Sequence, residues 1–490
     1  MNSKVSMFFK SRSFKRTTLN TALSIVVIAT VIVLNIIVSA LAHKYYWYID
    51  MTQNSVFKLS DEAIALVQNV DAEVNIIFCD DAEALKNSAK LKPVYNTAHE
   101  LSSKLDNVNI KHLDIYKNPS SVSKYKTTSA SKITDTSVIV ESGGESKVFQ
   151  WANFYKVNES GKVWAYDGEY KLISTVLQLT ADENPKAYFT VGHGESIQDI
   201  GITNIFADAG YEVNVINLSQ SDIPEDTRFL IINNPISDFT KVSLDSQFQK
   251  SEIEKIDDYL DGFGCLAVFI GPDTGDLPEL YSFLKEWGIS FDGRAIMDKK
   301  NAKTSDYYTF EAEYATGDTA GAGLIKSITS LPEPPNAIIE YATPIDILFE
   351  EKGARTVSPI LTTSNKAMIG SESESNLDGG KFNVMTLSTE TRYVDNQEQY
   401  SFVLAAGTSN FMADKYIGQK AYSNSDILHA VMKQTGKKNI PVNLDFKSFD
   451  DTSLDITASE AKQWNLAIIS ILPVTAILFC IAILVRRRHA

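Results

Sequence analysis

Cysteine is scarce, at three residues in 490. Cys480 lies inside a long apolar run. Cys79 and Cys265 stand far apart and in no metal-ligand spacing. That excludes a cysteine-built zinc site and a multi-bridge framework. A single Cys79–Cys265 disulfide stays open, beside the reading of both as small buried hydrophobes. Histidine is also scarce. The six (His43, His99, His112, His193, His429, His489) form no local ligand cluster. No Gly-x-x-x-x-Gly-Lys-Ser/Thr run occurs, so the chain carries no P-loop. His99-Glu100 is followed by Leu101, Ser102 and Ser103, which rules out a zinc-protease helix. There is no Gly-x-Ser-x-Gly elbow. Cys265 opens a predicted strand instead of sitting on a strand–helix elbow, which makes it a poor nucleophile. No cofactor is implied.

Basic charge is short in the middle of the chain. Residues 1–43 carry five basic side chains (Lys4, Lys10, Arg12, Lys15, Arg16) and no acid, and 465–490 carry three arginines and no acid. The 46 basic side chains less these eight leave 38 against 61 acids across 44–464, a net of −23. Nucleic-acid binding needs a basic face, so such a partner is not expected. A solvated body outside a membrane suits this charge.

Charge of either sign is missing from two stretches. Leu466 to Val485 has none and is followed by Arg486, Arg487 and Arg488. About 20 apolar residues at about 1.5 Å each span a hydrocarbon core of about 30 Å. The arginines mark the cytoplasmic side. Leu19 to Leu41 is a second such run, behind the basic stretch Lys10 to Arg16. Ala40-Leu41-Ala42 fits a signal-peptidase site, but the run is longer than a usual signal core, and a retained helix is favoured. Tyr45, Tyr46, Trp47 and Tyr48 follow as an interfacial aromatic belt. The expected layout is a cytoplasmic basic tail (1–18), a membrane helix (19–41), an extracytoplasmic α/β domain (50–182), a second α/β domain (186–435) with a loop-rich insertion at about 290–380, a connector (436–463), a membrane helix (464–485) and a basic tail (486–490). Both tails would be cytoplasmic on a two-pass cell-membrane protein.

Within the body, a helix is predicted to start near Ser60, with Asp61 and Glu62 in its first turn. Val74–Phe78 and Val108–Ile115 read as strands, and Ala82–Leu91 and Val94–Leu105 as helical. Thr136–Val140 and Lys147–Trp151 form a hairpin about Gly143-Gly144. That order is thioredoxin-like, without a Cys-x-x-Cys. Gly168–Leu179 reads as a helix, and Asp182–Pro185 as the break between domains. Strands follow at Lys186–Val191, Val213–Leu218, Phe229–Asn233 and Cys265–Ile270. They alternate with a helix ending near Gly210 and one at Ser251–Leu260, which has Ser251 and Glu254 as a capping box. Near-continuous apolar strands mean a parallel sheet covered on both faces. Short strands and long loops fill 290–380. Phe382–Leu387 and Ser401–Ala406 are strands again, Gly407–Phe411 is a strand-end turn, and Ser425–Thr435 is a final helix.

One stretch has the look of a site, Gly192-His193-Gly194-Glu195, at the carboxyl end of the first predicted parallel strand. Open α/β sheets bind ligands there. Glycine lets the backbone take positive φ and approach a partner. His193 and Glu195 could form a proton-transfer pair or grip a polar group. The alternative is a tight strand–helix turn, with Glu195 satisfying helix-start amides.

Several stretches together resemble the auxiliary component of ABC-2-type transporters, related to gliding-motility accessory proteins. They are Ile49-Asp-Met-Thr-Gln-Asn-Ser-Val-Phe-Lys-Leu-Ser60, Gly168-Glu-Tyr-Lys-Leu-Ile-Ser-Thr175, Ala187-Tyr-Phe-Thr-Val-Gly-His-Gly-Glu195, Tyr259-Leu-Asp-Gly-Phe-Gly264, Gly407-Thr-Ser-Asn-Phe411 and the Pro473-containing apolar run before the arginines. The likeness is nearly full length and weakest over 290–380. It implies a second domain resembling a class I glutamine-amidotransferase-like, flavodoxin-like fold without its catalytic cysteine. The implied partners are a separate ABC ATPase subunit, a polytopic ABC-2-type permease and membrane lipid. Small residues such as Ala467, Ser470 and Ala476 could face the permease. The leading functional expectation is a non-catalytic accessory subunit that scaffolds the transporter or contacts its substrate. Its rivals are a binding module for an envelope ligand at residues 192–196 and a surface hydrolase using His193 and Glu195.

Overall fold

The structure is a computed structural model. It describes residues 56–449 apart from 127–131, 158–160, 182–183, 196, 198–202, 204, 208, 241–249, 332, 371–377, 418–420, 436–443 and 445, and before them helical residues at 26, 29–30 and 32–38. Residues 1–448 form one compact unit and 449–490 a second. The expected membrane run 19–41 lies largely outside the described residues, and the run 464–485 and the basic tails 1–18 and 486–490 lie wholly outside them. Those of 26–38 that are described are exposed, Val26, Ile32 and Leu34 among them. Among the described residues no helix is long and apolar enough to cross a membrane.

The body is a mixed α/β fold with several sheets. Helix α1 (Asp61–Val67) begins where expected: the Ser60 side chain accepts from the Ala63 amide and closes the first turn. β1 (Val74–Phe78), α2 (Ala82–Asn87), α3 (Lys92–Lys104), β2 (Val108–His112), β3 (Ser137–Ser142) and β4 (Glu145–Gln150) follow. These strands form a four-stranded sheet in the order β2-β1-β3-β4. β1 runs parallel to β2 and antiparallel to β3, and β3–β4 is a hairpin. Tyr95 of α3 stands edge-on to Phe78 at 5.0 Å, so both rings are fully buried. Burying a side chain of this size contributes about 1.5–3 kcal/mol. β5 (Tyr155–Val157) and β6 (Val163–Tyr166) lead into α4 (Gly168–Thr180).

The second sheet carries β7 (Lys186–Thr190), β8 (Glu212–Ile216), β9 (Thr227–Asn233) and β10 (Cys265–Phe269), with α5 (Glu252–Asp261) before β10 and α6 (Pro278–Glu286) after it. Every residue of β9 and β10 is buried, as a two-face parallel core demands. Ile216, Leu230, Ile232, Leu266 and Val268 share one hydrophobic cluster with Ile256, Leu260, Leu280 and Leu284 of α5 and α6. The alternate face packs Phe229 against Phe206 and Tyr211, with centroids at 5.8 and 5.7 Å. The helix expected between β7 and β8 is described only at Thr203 and 205–207.

The stretch at about 290–380, read as short strands and long loops, carries nine short strands and two short helices among the described residues. β11 (Ile289–Phe291), β12 (Ile296–Asp298), β13 (Thr309–Tyr314), the short helices α7 (Ala320–Leu324) and α8 (Lys326–Thr329), β14 (Ala337–Glu340), β15 (Ile345–Ile347), β16 (Glu351–Lys352), β17 (Arg355–Thr362), β18 (Ala367–Ile369) and β19 (Asp378–Gly380) occupy it. β20 (Asn383–Val394) and β21 (Gln397–Ala406) form a hairpin far longer than the two short strands expected, closed by Asp395 and Asn396 at positive φ. The order across the second sheet is β14-β13-β17-β20-β21-β10-β9-β7-β8. β8, β7, β9, β10 and β21 are mutually parallel; β21 then pairs antiparallel with β20, and the far half continues antiparallel. The expected parallel sheet is thus present over these five strands, and the whole sheet is mixed. Of the parallel strands, the second in sequence lies at the edge, then the first, third, fourth and fifth.

After β21 come a 3-10 turn (Ser409–Met412), α9 (Asp414–Ile417) and α10 (Asn424–Gln434). The expected connector 436–463 returns at Lys447–Ser448 as β22, which pairs with β6.

Candidate functional site

β7 is flanked by β8 on one side and β9 on the other, so the connections that leave β7 and β9 run to opposite sides. The crevice at its carboxyl end is the topological switch point of the parallel half, where open sheets place ligands. Gly192-His193-Gly194-Glu195 occupies that position. Gly192 and Gly194 take φ of +117° and +82°, a region that L side chains enter at a cost. A Cβ on Gly192 would meet the Asn217 side chain at 2.9 Å, and one on Gly194 would meet Ile236 at 3.1 Å. Both glycines are thus required by conformation and by close approach.

The turn is tied to the loop after β9. The His193 carbonyl accepts from the amides of Ile236 and Ser237 at 2.7 and 2.9 Å. That loop in turn reaches both neighbouring helices. Asp238 accepts from the amides of Glu279 and Leu280 and so caps α6 from outside. Thr240 donates its amide to the Glu252 carboxylate at 2.8 Å.

The His193 ring sits between two carboxylates. Nδ1 lies 3.3 Å from Glu195 Oε1, and Nε2 lies 3.1 Å from Glu252 Oε2. Phe239 stacks on the ring at 4.0 Å. All three charged side chains are almost fully withdrawn from solvent. Burial pulls the His193 pKa down, but the two carboxylates outweigh it and hold the pKa near about 9. Glu195 and Glu252 are held below the ordinary glutamate value: burial opposes this, and hydrogen bonds from His193 and nearby groups win. At neutral pH the ring is an imidazolium donating through both nitrogens. It has no lone pair with which to take a proton, so the arrangement is a charged clasp and not a poised general base.

The expected pair is therefore brought together, and a third member joins it. Glu252 was missed by sequence reading, where it was one more acid in the first turn of a helix. Glu195 Oε2 accepts the His193 amide at 2.8 Å, closing the turn. Glu252 Oε1 is buried without a hydrogen-bond partner among the described residues, an acceptor left open at the switch point.

The cysteines are settled as free and buried at Cys79 and Cys265. Burial pushes both thiols up to about 12, which leaves almost no thiolate at neutral pH. Cys480 lies outside the described residues. Among the described residues no cluster of three or more His, Cys, Asp or Glu is arranged to hold a metal ion.

No family model and no curated protein matches the chain. Among solved structures, the mmIFT52 N-terminal domain is similar over 53% of this chain and 99% of its own, at 12% identity and a TM-score of 0.37. The cytoplasmic protein STM3548 from Salmonella typhimurium is similar over 52% of this chain and 100% of its own, at 7% identity and a TM-score of 0.27. At TM-scores below 0.5 neither likeness bears on what this chain does.

Proposed function

We propose that the chain is a non-catalytic, membrane-anchored accessory subunit of an ABC-2-type transporter, with separate subunits supplying the ATPase and the permease. The observation that carries this reading is the charge layout: two charge-free apolar runs, each next to basic residues, enclose a body of net −23. On this reading 19–41 and 464–485 are membrane helices, both tails are cytoplasmic, and the acidic body stands outside. Two features of the body support it. The parallel strands lie in the order 2-1-3-4-5, that of flavodoxin-like sheets. The small sheet, with parallel β1–β2 beside an antiparallel hairpin, suits a thioredoxin-like domain. At the switch point, where an enzyme of such a fold would keep its reacting groups available, His193 is committed to two carboxylates.

The test is co-purification of the intact protein from its native membrane in mild detergent. Recovery of an ATPase and a polytopic partner is expected, and a chain that comes out alone overturns the reading. A second reading, an extracytoplasmic binding module, is favoured by one observation, the open Glu252 acceptor at the switch point. Thermal-shift screening of the intact protein against envelope components distinguishes it: a ligand whose stabilisation disappears in Glu252→Gln would support binding there.

A further inference from the structure

At the amino end of the parallel strands, far along β9 from the His193 cluster, Arg228 is a cation in the protein interior. It is 5% exposed, and a guanidinium keeps its proton even there. The pairing of β7 with β9 steps from Lys186–Thr227 to Ala187–Phe229 and leaves Arg228 over. Such a break in register re-aims a side chain. Here the guanidinium carbon lies 6.0 Å over the Tyr211 ring. Nη2 donates to the Thr435 carbonyl at 3.2 Å. Nε is buried with no acceptor among the described residues. Burial draws the pKa of the group down, and the neighbours that oppose this are Tyr211, Cys265 and Tyr259. No carboxylate is among them.

The surroundings offer donors where acceptors are needed. The Tyr211 hydroxyl is buried and, among the described residues, has no partner either. The Cys265 thiol turns to the Thr435 hydroxyl at 3.5 Å. The Arg228 and Cys265 carbonyls both face the Tyr259 hydroxyl, at 2.9 and 3.1 Å. Thr435 caps the carboxyl end of α10, and a helix dipole places about half a negative charge there. That offsets part of one full positive charge and leaves the rest. A buried water would satisfy the orphan donors but would bring no charge. An unpaired charge in an apolar interior is costly enough that buried ions are kept with a partner.

We propose that Arg228 and Tyr211 hold a small monovalent anion of halide size, which accepts from Arg228 Nε and from the Tyr211 hydroxyl. Charge sets the valence: the site has one fixed positive charge, and the side chains around it are neutral at pH 7, so a dianion would leave an excess of the opposite sign. Enclosure sets the size. Tyr211, Cys265 and Thr435 are as buried as Arg228, which suits a single atom and not a metabolite.

The test is the thermal midpoint of the full-length protein in detergent as sodium chloride is added, against sodium gluconate at equal ionic strength. Gluconate screens equally but is too large for an enclosed site. Chloride should raise the midpoint above gluconate by about 2 °C or more, saturably, with half the effect between about 1 and 50 mM. Bromide should replace chloride. Arg228→Met puts an apolar side chain of similar length where the cation was and should fold, with one midpoint in both salts. Tyr211→Phe keeps the cation and removes one donor, so half-saturation should need about tenfold more chloride, the scale of one hydrogen bond to a charged group. The proposal is overturned if chloride and gluconate give the same midpoint, if the chloride effect rises without saturating, or if Arg228→Met retains it. Where Arg228→Met fails to fold, Tyr211→Phe decides, and an unchanged half-saturation overturns the site.

Discussion

The buried imidazolium at the switch point makes stability depend on pH in a specific direction. The folded pKa of His193 is raised from 6.5 to about 9. A group whose pKa is raised by folding contributes its full stability below the unfolded value, and loses it as pH rises through the folded value. The window therefore opens near pH 6.5 and closes near 9. At about 1.4 kcal/mol per pH unit, that displacement amounts to about 3–4 kcal/mol. The ring is nearly buried, so little of this is lost to solvent screening. Glu195 and Glu252 act with the opposite sign: their pKa values are lowered from 4.5, so their contribution is present above that and lost as pH falls. Stability from the clasp should then be greatest between about pH 4.5 and 6.5. The measurement is urea unfolding at closely spaced pH values. The acidic body adds its own pH dependence, so the control is a chain in which the cluster no longer titrates in this way. His193→Gln alone leaves two buried carboxylates without their cation and should cost about 3–5 kcal/mol. The double variant H193Q/E252Q relieves that repulsion and serves as the reference. Relative to it, the wild-type chain should lose about 3–4 kcal/mol between pH 6.5 and 9. Parallel profiles for the two chains would refute the charged-clasp account.

Other consequences follow from single contacts. Lys156→Met leaves Asp167 and Asp426 buried without their cation and should lower unfolding free energy by about 3–5 kcal/mol, read by denaturant midpoint at unchanged m-value. Ser251→Ala removes both the acceptor for the Glu254 amide and half of a capping box, so a loss of about 1 kcal/mol is expected in the same assay. Gly194→Val combines a positive φ with a side chain driven into Ile236; it should destabilise by more than about 1 kcal/mol, whereas Gly293→Ala, also at positive φ but with open space around it, should cost less. Cys79 and Cys265 should react with a thiol reagent at pH 8 only after unfolding, and rapid labelling of either in the folded chain would contradict their burial.

Much of the body was legible because its signals are local. Val74–Phe78 and Cys265–Phe269 are short apolar runs between breaks, and α5 announces itself through Ser251 and Glu254. What escaped was the far half of the large sheet. β20 and β21 were read only where they are apolar, at Phe382–Leu387 and Ser401–Ala406. Their outer halves, Glu390–Val394 and Gln397–Tyr400, leave the core and are mostly polar, with Tyr393, Val394 and Tyr400 as exceptions, so no buried face signals them. The hairpin signal was present in Asp395-Asn396, two residues that tolerate positive φ, but without a glycine it was easily passed over. The strands of 289–380 are two to eight residues long, and long-range pairing holds them, not any local pattern.

The candidate site divides along the same line. Its turn could be found because Gly-His-Gly-Glu compresses four unusual choices into four positions. Its chemistry could not, because the residue that decides it lies 59 positions away. With Glu195 alone, His193 would have kept one nitrogen free and stood as a plausible base. With Glu252 on the other side it becomes a fixed cation holding the end of β7 to the start of α5. Local sequence marks where the backbone is unusual, whereas charge balance in a folded interior depends on which distant side chains are delivered to the same place. For this chain, the closing of the conspicuous site by Glu252 is an effect of that delivery.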